Sequence, residues 1–215
     1  MNNTKHFDEA AAQWDEKPSR VKMASEIVEF LIKRTPINPK MEALEYGCGT
    51  GIASALLSKK LRKITAADYS AGMLKEVRAK IKKLNIDNIE PLQLDLTREE
   101  APKQTFDFIF SSLAMHHIED TQCVLNKFHS LLKPGGYVAI VDLDKEDGSF
   151  HLSAEDSHVK HSGFDRNKFM AMLKNAGLTN PTAHTACVIE RFDDDGTKRG
   201  DYPVFMIMAQ KSKTN

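Results

Sequence analysis

Apolar positions along the chain switch between two periods, and the switching outlines a fold. After a polar opening stretch marked by Phe7 and Trp14, Val21, Ala24, Val28 and Leu31 recur at steps of three and four. That spacing predicts a helix capped by Ser19, with Pro36 and Pro39 stopping it and starting a linker. Short apolar runs then alternate with amphipathic segments. Strands are predicted over residues 43–46, 63–68, 89–94, 106–111 and 137–143, and helices over 52–61, 70–84 and 120–132. In the 70–84 segment Met73, Leu74, Val77, Ile81 and Leu84 share one face, while Ala53 and Ala55 let the helix before it pack closely on a sheet. The apolar run at 106–111 suits a strand buried on both faces. Lys133-Pro134-Gly135-Gly136 reads as the end of the 120–132 helix.

The last third changes character. Residues 144–163 are charged and histidine-bearing, with no clear period. A helix is predicted over 165–176 on Phe169, Met172 and Leu173, ended by Gly177, followed by strands over 182–191 and 202–210. Asp193-Asp194-Asp195-Gly196 is the turn signal between those strands. Regular strand–helix alternation predicts an α/β fold, a parallel sheet with helices on both faces. Two consecutive strands joined by a short connection cannot both run parallel, so one of the last pair is antiparallel.

Composition narrows the class. A chain of 215 residues, 41% hydrophobic and 28% charged, is expected to form a single domain over 1–215. Its parts would be an N-terminal lid or helix (1–40), a binding core (41–143), and an insertion with the C-terminal strands (144–215). Thirty basic residues balance thirty acidic ones, which argues against nucleic acid as the main partner. The polar start, Met1-Asn2-Asn3-Thr4-Lys5-His6, lacks a signal-peptide core, and no apolar stretch approaches the ~20 residues of a membrane helix. Three distant cysteines without paired spacing fit a reducing, cytoplasmic setting.

Candidate chemistry gathers where the predicted strands end. Leu44-Glu45-Tyr46-Gly47-Cys48-Gly49-Thr50-Gly51 places alternating glycines between a strand and a helix. Such a loop turns tightly and lets a ligand lie against bare main chain at the positive end of a helix dipole. A dinucleotide fingerprint needs its last glycine one place later, where Ile52 stands. Glu45 would repel a pyrophosphate and suits a cationic ligand. Asp68 ends the second strand, at the place suited to two ribose hydroxyls. Asp95 follows the third, and Ser111 leads from the fourth into Met115-His116-His117. A plain glycine turn, with aspartates that cap helices, is the alternative for each piece taken singly.

Taken in order, these pieces resemble the class I methyltransferases that use S-adenosylmethionine. The resemblance is closest to the small-molecule branch that includes the quinone-biosynthesis enzymes. It rests on residues 43–51, the run Thr65-Ala66-Ala67-Asp68-Tyr69-Ser70-Ala71-Gly72-Met73-Leu74, Leu92-Gln93-Leu94-Asp95-Leu96, Phe106-Asp107-Phe108-Ile109-Phe110-Ser111, and Leu131-Leu132-Lys133-Pro134-Gly135-Gly136. It implies a doubly wound, seven-stranded, mostly parallel sheet with its last strand antiparallel. It further implies that Glu45, Tyr46, Gly47, Gly49 and Gly51 underlie the methionine part of the cofactor and that Asp68 holds the ribose. Tyr69 and Met73 would pack on the adenosyl group, Asp95 and Leu96 would read the adenine edge, and the Ser111 carbonyl would approach the amino group. The product would be S-adenosylhomocysteine. No substrate follows from the resemblance.

Methyl transfer needs alignment and desolvation, and a base only if the acceptor must lose a proton. His116 and His117 are the candidate bases, with local hydrogen bonding as the alternative. His151, His158 and His161, with Glu155 and Asp156 between, match no common metal spacing, so no metal is expected. Phe7 and Trp14 would close a lid or pack a helix on the sheet. Two other readings stay open: an oxidoreductase binding NAD(P), and a non-catalytic cofactor-binding protein of the same fold. A nucleic-acid or protein methyltransferase would want an appended recognition segment that is not visible.

Overall fold

The computed structural model describes residues 4–151, 159–193 and 195–213. The chain opens with α1 (Thr4–Ala10), a tight 3-10 turn (Ala11–Glu16) and α2 (Pro18–Arg34). Pro18 takes the first helical position, where its fixed φ is already helical and its missing N–H costs nothing. Ser19 therefore falls inside the first turn and is not the expected cap. The following elements are β1 (Glu42–Tyr46), α3 (Ile52–Leu57), β2 (Lys63–Asp68), α4 (Ala71–Leu84), β3 (Ile89–Gln93), β4 (Phe106–Ser112), α5 (Thr121–Leu131) and β5 (Leu132–Leu143). The chain ends with α6 (Arg166–Asn175), β6 (Leu178–Phe192) and β7 (Lys198–Lys211). Three helices carry side-chain caps: Ser70 accepts from Met73 N at 3.1 Å, Asp120 from Cys123 N at 2.9 Å and Asp165 from Lys168 N at 2.9 Å.

The seven strands form one sheet in the order β3-β2-β1-β4-β5-β7-β6. Pairs from β3 through β5 are parallel, and β7 runs antiparallel to both β5 and β6. The order reverses at β1, between β2 and β4. The open ends of β1, β2 and β4 meet there, the usual crevice of a doubly wound sheet.

One apolar layer fills each face. Leu44, Ile109, Val138 and Phe205 pack with α5 and α6 residues such as Phe128 and Phe169. Ala43, Phe108, Phe110 and Val141 pack on the other side with Ile27, Leu31, Leu57 and Leu74 from α2, α3 and α4. The period-2 pattern of buried strands produces this division directly.

The Lys133-Pro134-Gly135-Gly136 segment is not a terminator lying outside the strand. It bulges within β5, which advances from Leu132 to Tyr137 while β4 advances only from Phe106 to Phe108. Pro134 bars its predecessor from helical geometry, and Gly135 supplies the bend at φ +80°.

After β5 the chain returns over the sheet edge through a parallel bridge between Asp144 and Phe164. Arg166 locks it with two bonds to the Asp144 carboxylate, Nε to Oδ1 at 2.7 Å and Nη2 to Oδ2 at 2.6 Å. Gly163 makes the approach feasible. It sits at φ +64°, and a Cβ there would lie 2.0 Å from the Asp144 carbonyl oxygen. Gly163→Ala should therefore cost at least ~2 kcal/mol, from left-handed strain together with the backbone clash. Urea unfolding checks this; an unchanged midpoint would mean the chain follows another path there.

Candidate active site

The glycine loop between β1 and α3 is hooked over β2: Gly47 N and Cys48 N both donate to Ala67 O, at 2.9 and 3.0 Å. A Cβ on Gly49 would meet nothing within 4 Å, so the main chain there faces open space. The two flanking glycines serve the protein itself. A Cβ on Gly47 would lie 2.5 Å from that of Ala114, and one on Gly51 would press on Val77 at 3.1 Å.

Asp68 stands at the tip of β2 and joins this loop to the start of α4. Its Oδ2 accepts from Gly49 N at 2.8 Å and its Oδ1 from Ser70 N at 2.9 Å. Burial raises its pKa, and the backbone N–H groups partly offset that. Each carboxylate oxygen keeps a lone pair for a further donor. Glu45, on β1, is buried and accepts from the Ser54 hydroxyl on α3. Burial lifts its pKa to about 8, so the side chain is a neutral acid at pH 7. Burial also raises the Cys48 thiol, which stays protonated and is a poor nucleophile.

The N-terminal segment roofs the loop and is fastened at two points. Asp8 Oδ1 accepts from Ser70 Oγ at 2.5 Å and Gly72 N at 2.8 Å. Asp15 accepts from Thr50 Oγ1 at 2.6 Å and pairs with Lys80 at 2.7 Å, while Lys80 also donates to Thr50 O at 2.7 Å. Between these points the Phe7 ring lies 6.0 Å from Tyr69 and 5.3 Å from His117. Phe7 thus stands among rings that border the cavity.

Beneath this roof lies a cavity of about 1750 Å³. At one end are Asp68, Tyr69, Met73 and Asp95, and at the other Phe150 and the outer part of β6. His116 forms part of the middle wall. Its Nδ1 lies 2.7 Å from Asp142 Oδ1, and its backbone N–H donates to Asp142 Oδ2 at 3.2 Å. Asp142 is fully buried in β5, so it fixes the ring and leaves Nε2 as the acceptor nitrogen. His117 lies 4.0 Å and His151 5.3 Å from the His116 ring, centroid to centroid. His161 is structural: its Nε2 lies 2.8 Å from Ile118 O. His158, Glu155 and Asp156 fall outside the described residues. Among the described residues no group of three or more His, Cys, Asp or Glu is placed to hold a metal ion.

Residues 43–136 match the family described as a methyltransferase domain. The match assigns those residues to a methyltransferase domain. An uncharacterized methyltransferase of Schizosaccharomyces pombe is 32% identical over 153 residues, covering 65% of this chain and 54% of that protein. Among solved structures, an S-adenosylmethionine-dependent methyltransferase from Aquifex aeolicus aligns with a TM-score of 0.66 at 23% identity, covering 98% of each chain. Haemonchus contortus phosphoethanolamine N-methyltransferase 2, solved with S-adenosylmethionine, aligns with a TM-score of 0.69 at 16% identity, covering 87% of this chain and 52% of that one. The chain spans about half the length of the first curated relatives it matches.

Within the methyltransferase domain, Glu45, Tyr46, Gly47, Gly49, Asp68, Tyr69, Met73, Asp95, His116 and His117 all border the cavity. Gly51, Leu96 and Ser111 stand away from it. Gly51 serves the α3–α4 packing. Leu96 is buried in the core and its N–H donates to Tyr46 Oη at 3.1 Å. Ser111 pairs with Ile140 inside the sheet because β4 runs one residue further than its apolar pattern, and Ser112 and Leu113 form the rim instead. Asp95 already accepts from Thr97 N at 3.0 Å, so it caps a local turn as well as facing the cavity.

Sequence reasoning missed Asp142, Asp8, Asp15 and Lys80. The signal for Asp142 was a lone carboxylate in the apolar run Val138-Ala139-Ile140-Val141 and Leu143. The two other aspartates lie in a polar stretch without period and show their partners only in three dimensions.

Gly72 tests the roof. A Cβ there would lie 2.7 Å from Asp8 Cα and 2.8 Å from Asp8 O, although alanine suits the first turn of α4. Gly72→Ala should loosen α1 while leaving the sheet intact. Proteolysis before Pro18 should quicken about tenfold, equivalent to ~1.4 kcal/mol of lost docking, with little change in the unfolding midpoint. Unchanged cleavage would show that Asp8 does not hold the segment.

Proposed function

We propose that the chain transfers the methyl group of S-adenosylmethionine to a small-molecule acceptor. The observation that carries this reading is the pairing of open main chain at Gly49 with the buried carboxyl groups of Asp68 and Glu45 at the sheet's switch point. The last glycine of a dinucleotide loop is replaced here by Ile52. That speaks against the NAD(P) alternative. A ribose diol and a cationic tail fit the same set: diol hydroxyls donate to Asp68, and a cation draws Glu45 toward its charged form. The family match and the cofactor named for the A. aeolicus and H. contortus proteins support the same ligand.

When bound, S-adenosylmethionine supplies a methyl carbon activated by its sulfonium. The chain's own residues supply the rest. Tyr69 and Met73 would hold the adenosyl group, and Asp95 would accept from the adenine amine. The Phe7 roof excludes water, so attack occurs in a desolvated space. Where the acceptor must shed a proton, His116 Nε2, oriented by Asp142, or the adjacent His117 accepts it. Residues 41–143 then form the cofactor half, while 1–40 and 144–215 shape the acceptor half.

Calorimetry with S-adenosylhomocysteine tests the ribose assignment. Asp68→Ala should weaken binding about 100-fold, or ~2.7 kcal/mol, because two hydroxyls lose a charged partner. Undiminished affinity would remove that assignment.

Glu45 adds a pH signature. Its folded pKa of about 8 lies above the ordinary 4.5, so below that pH a cationic ligand must displace a proton. Affinity for S-adenosylmethionine should rise with pH up to about 8 and then level, with proton release on binding. Methylthioadenosine, which has neither cation, should show no such slope, and Glu45→Gln should flatten the slope for S-adenosylmethionine. A slope that survives in Glu45→Gln would assign it to another group.

A further inference from the structure

His116 is held at its ring, its N–H and its carbonyl. Nδ1 lies 2.7 Å from Asp142 Oδ1, and the backbone N–H donates to Asp142 Oδ2 at 3.2 Å. The His116 carbonyl accepts from Lys160 N at 2.9 Å and from His161 N at 3.0 Å. The turn that delivers it is strained. Leu113, just after β4, sits at φ +52°, in the left-handed region where bulky residues are outliers. Its N–H donates to Val141 O at 2.8 Å, next to Asp142 on β5. Strain of this kind persists only where neighbours over-determine the backbone, and it collects at functional sites.

Both Asp142 oxygens already face donors. Oδ1 accepts from Leu143 N at 2.8 Å besides the ring, and Oδ2 accepts from His116 N. The pair is buried, His116 at 3% exposure and Asp142 at 0%, so water does not compete for those bonds. The ring proton therefore sits on Nδ1, and Nε2 keeps its lone pair. No described group bonds Nε2, and His116 borders the cavity. A nitrogen offered to the cavity in this form can take a proton but cannot give one.

The surroundings of that nitrogen are flat. The His117 and His151 rings lie 4.0 and 5.3 Å from His116, centroid to centroid. Phe7 lies 5.3 Å from His117, and Phe150 lies 4.7 Å from His151. All of these rings border the cavity, and such a wall suits a planar molecule. The type of acceptor group follows from the locked nitrogen. A neutral amine attacks through its own lone pair and has no use for it. A hydroxyl oxygen must lose its proton as it attacks. Phenols, which ionise near ~10 like the tyrosine side chain, are within reach of an imidazole base, and alkyl alcohols are far weaker acids.

We propose that the methyl acceptor is a planar phenol or enol, that His116 Nε2 takes its hydroxyl proton, and that Asp142 is the positioning residue that fixes the His116 tautomer. The oxygen–methyl bond forms as the sulfur–methyl bond breaks. The electron pair of the broken bond stays on sulfur, giving S-adenosylhomocysteine, and the proton goes to Nε2. The transfer step rests on the methyl-transfer reading; recognition of the hydroxyl by His116 does not.

Imidazole nitrogen spectra of the full chain test the positioning, with the His116 signals assigned by their loss in His116→Gln. The wild type should show the Nδ1–H tautomer. In Asp142→Asn one amide oxygen faces three donors, so the ring should lose its single tautomer and become a mixture. A wild-type Nε2–H tautomer, or a tautomer that Asp142→Asn leaves unaltered, overturns the positioning role. Phenol, aniline and cyclohexanol are then titrated with and without S-adenosylhomocysteine. Phenol should bind saturably at millimolar concentration and move the His116 Nε2 signal. It should bind about fivefold or more tighter than the other two, the difference one hydrogen bond makes, and His116→Gln should remove that preference. Absence of phenol binding, equal affinities, or an unmoved His116 signal overturns the hydroxyl assignment. Should Asp142→Asn fail to fold, the wild-type tautomer and the titrations of His116→Gln carry the test. Phenol preference without S-adenosylhomocysteine binding would sink the methyl-transfer reading and keep the hydroxyl site, and the opposite pattern would do the reverse.

Discussion

The Asp68 carboxylate is the joint on which the rest of the site is assembled. It accepts from Gly49 N in one loop and Ser70 N in the next, so the ends of β1 and β2 cannot drift apart without breaking a charge-assisted bond. Bonds of that kind contribute ~1.5–3 kcal/mol each when buried. The joint extends outward, because Ser70 caps α4 and bonds Asp8, which fastens the N-terminal roof. Loop, helix start and roof therefore share one anchor. A ligand that engaged Asp68 would bear on all three through that chain of bonds.

A second constraint is electrostatic. Three acids are buried near the cavity, and each is kept tolerable by different means. Asp68 is compensated by backbone N–H groups, Asp142 by His116 and by Leu143 N at 2.8 Å, and Glu45 by keeping its proton. Burial of Glu45 therefore favours the folded state below its ordinary range. That advantage is lost as pH rises from the ordinary 4.5 through about 8.

Much of this was legible in the sequence because it is periodic or local. The two faces of β1 and β4 follow from alternation, and the parallel core with an antiparallel strand in the terminal pair follows from the sequence of elements. Asp68 and Gly49 stand where a strand meets a helix, and strand ends are where pattern analysis is strongest. Less legible is what one residue decides: β4 continues through Ser112, and Leu96 N–H is claimed by Tyr46 Oη, a partner fifty positions away. The helix ends where Lys133-Pro134-Gly135-Gly136 marks its end, but the bulge in β5 stayed hidden because Pro and Gly mark a helix end and a strand irregularity alike. The roof contacts were invisible, since Asp8 and Asp15 acquire partners only through chain reversal.

The β6–β7 hairpin has one further consequence. Its pairing with β5 reaches only Leu143 opposite Val204, while β6 and β7 continue together to Phe192 and Lys198. That overhang lends the cavity its far wall without contributing to the parallel half of the sheet. Lengthening, trimming or repainting it would retune which molecule is admitted and leave the floor untouched. On the proposed methyl-transfer reading, chemistry and selectivity would reside in separately mutable parts, a division that would let descendants of one scaffold diversify their diets quickly.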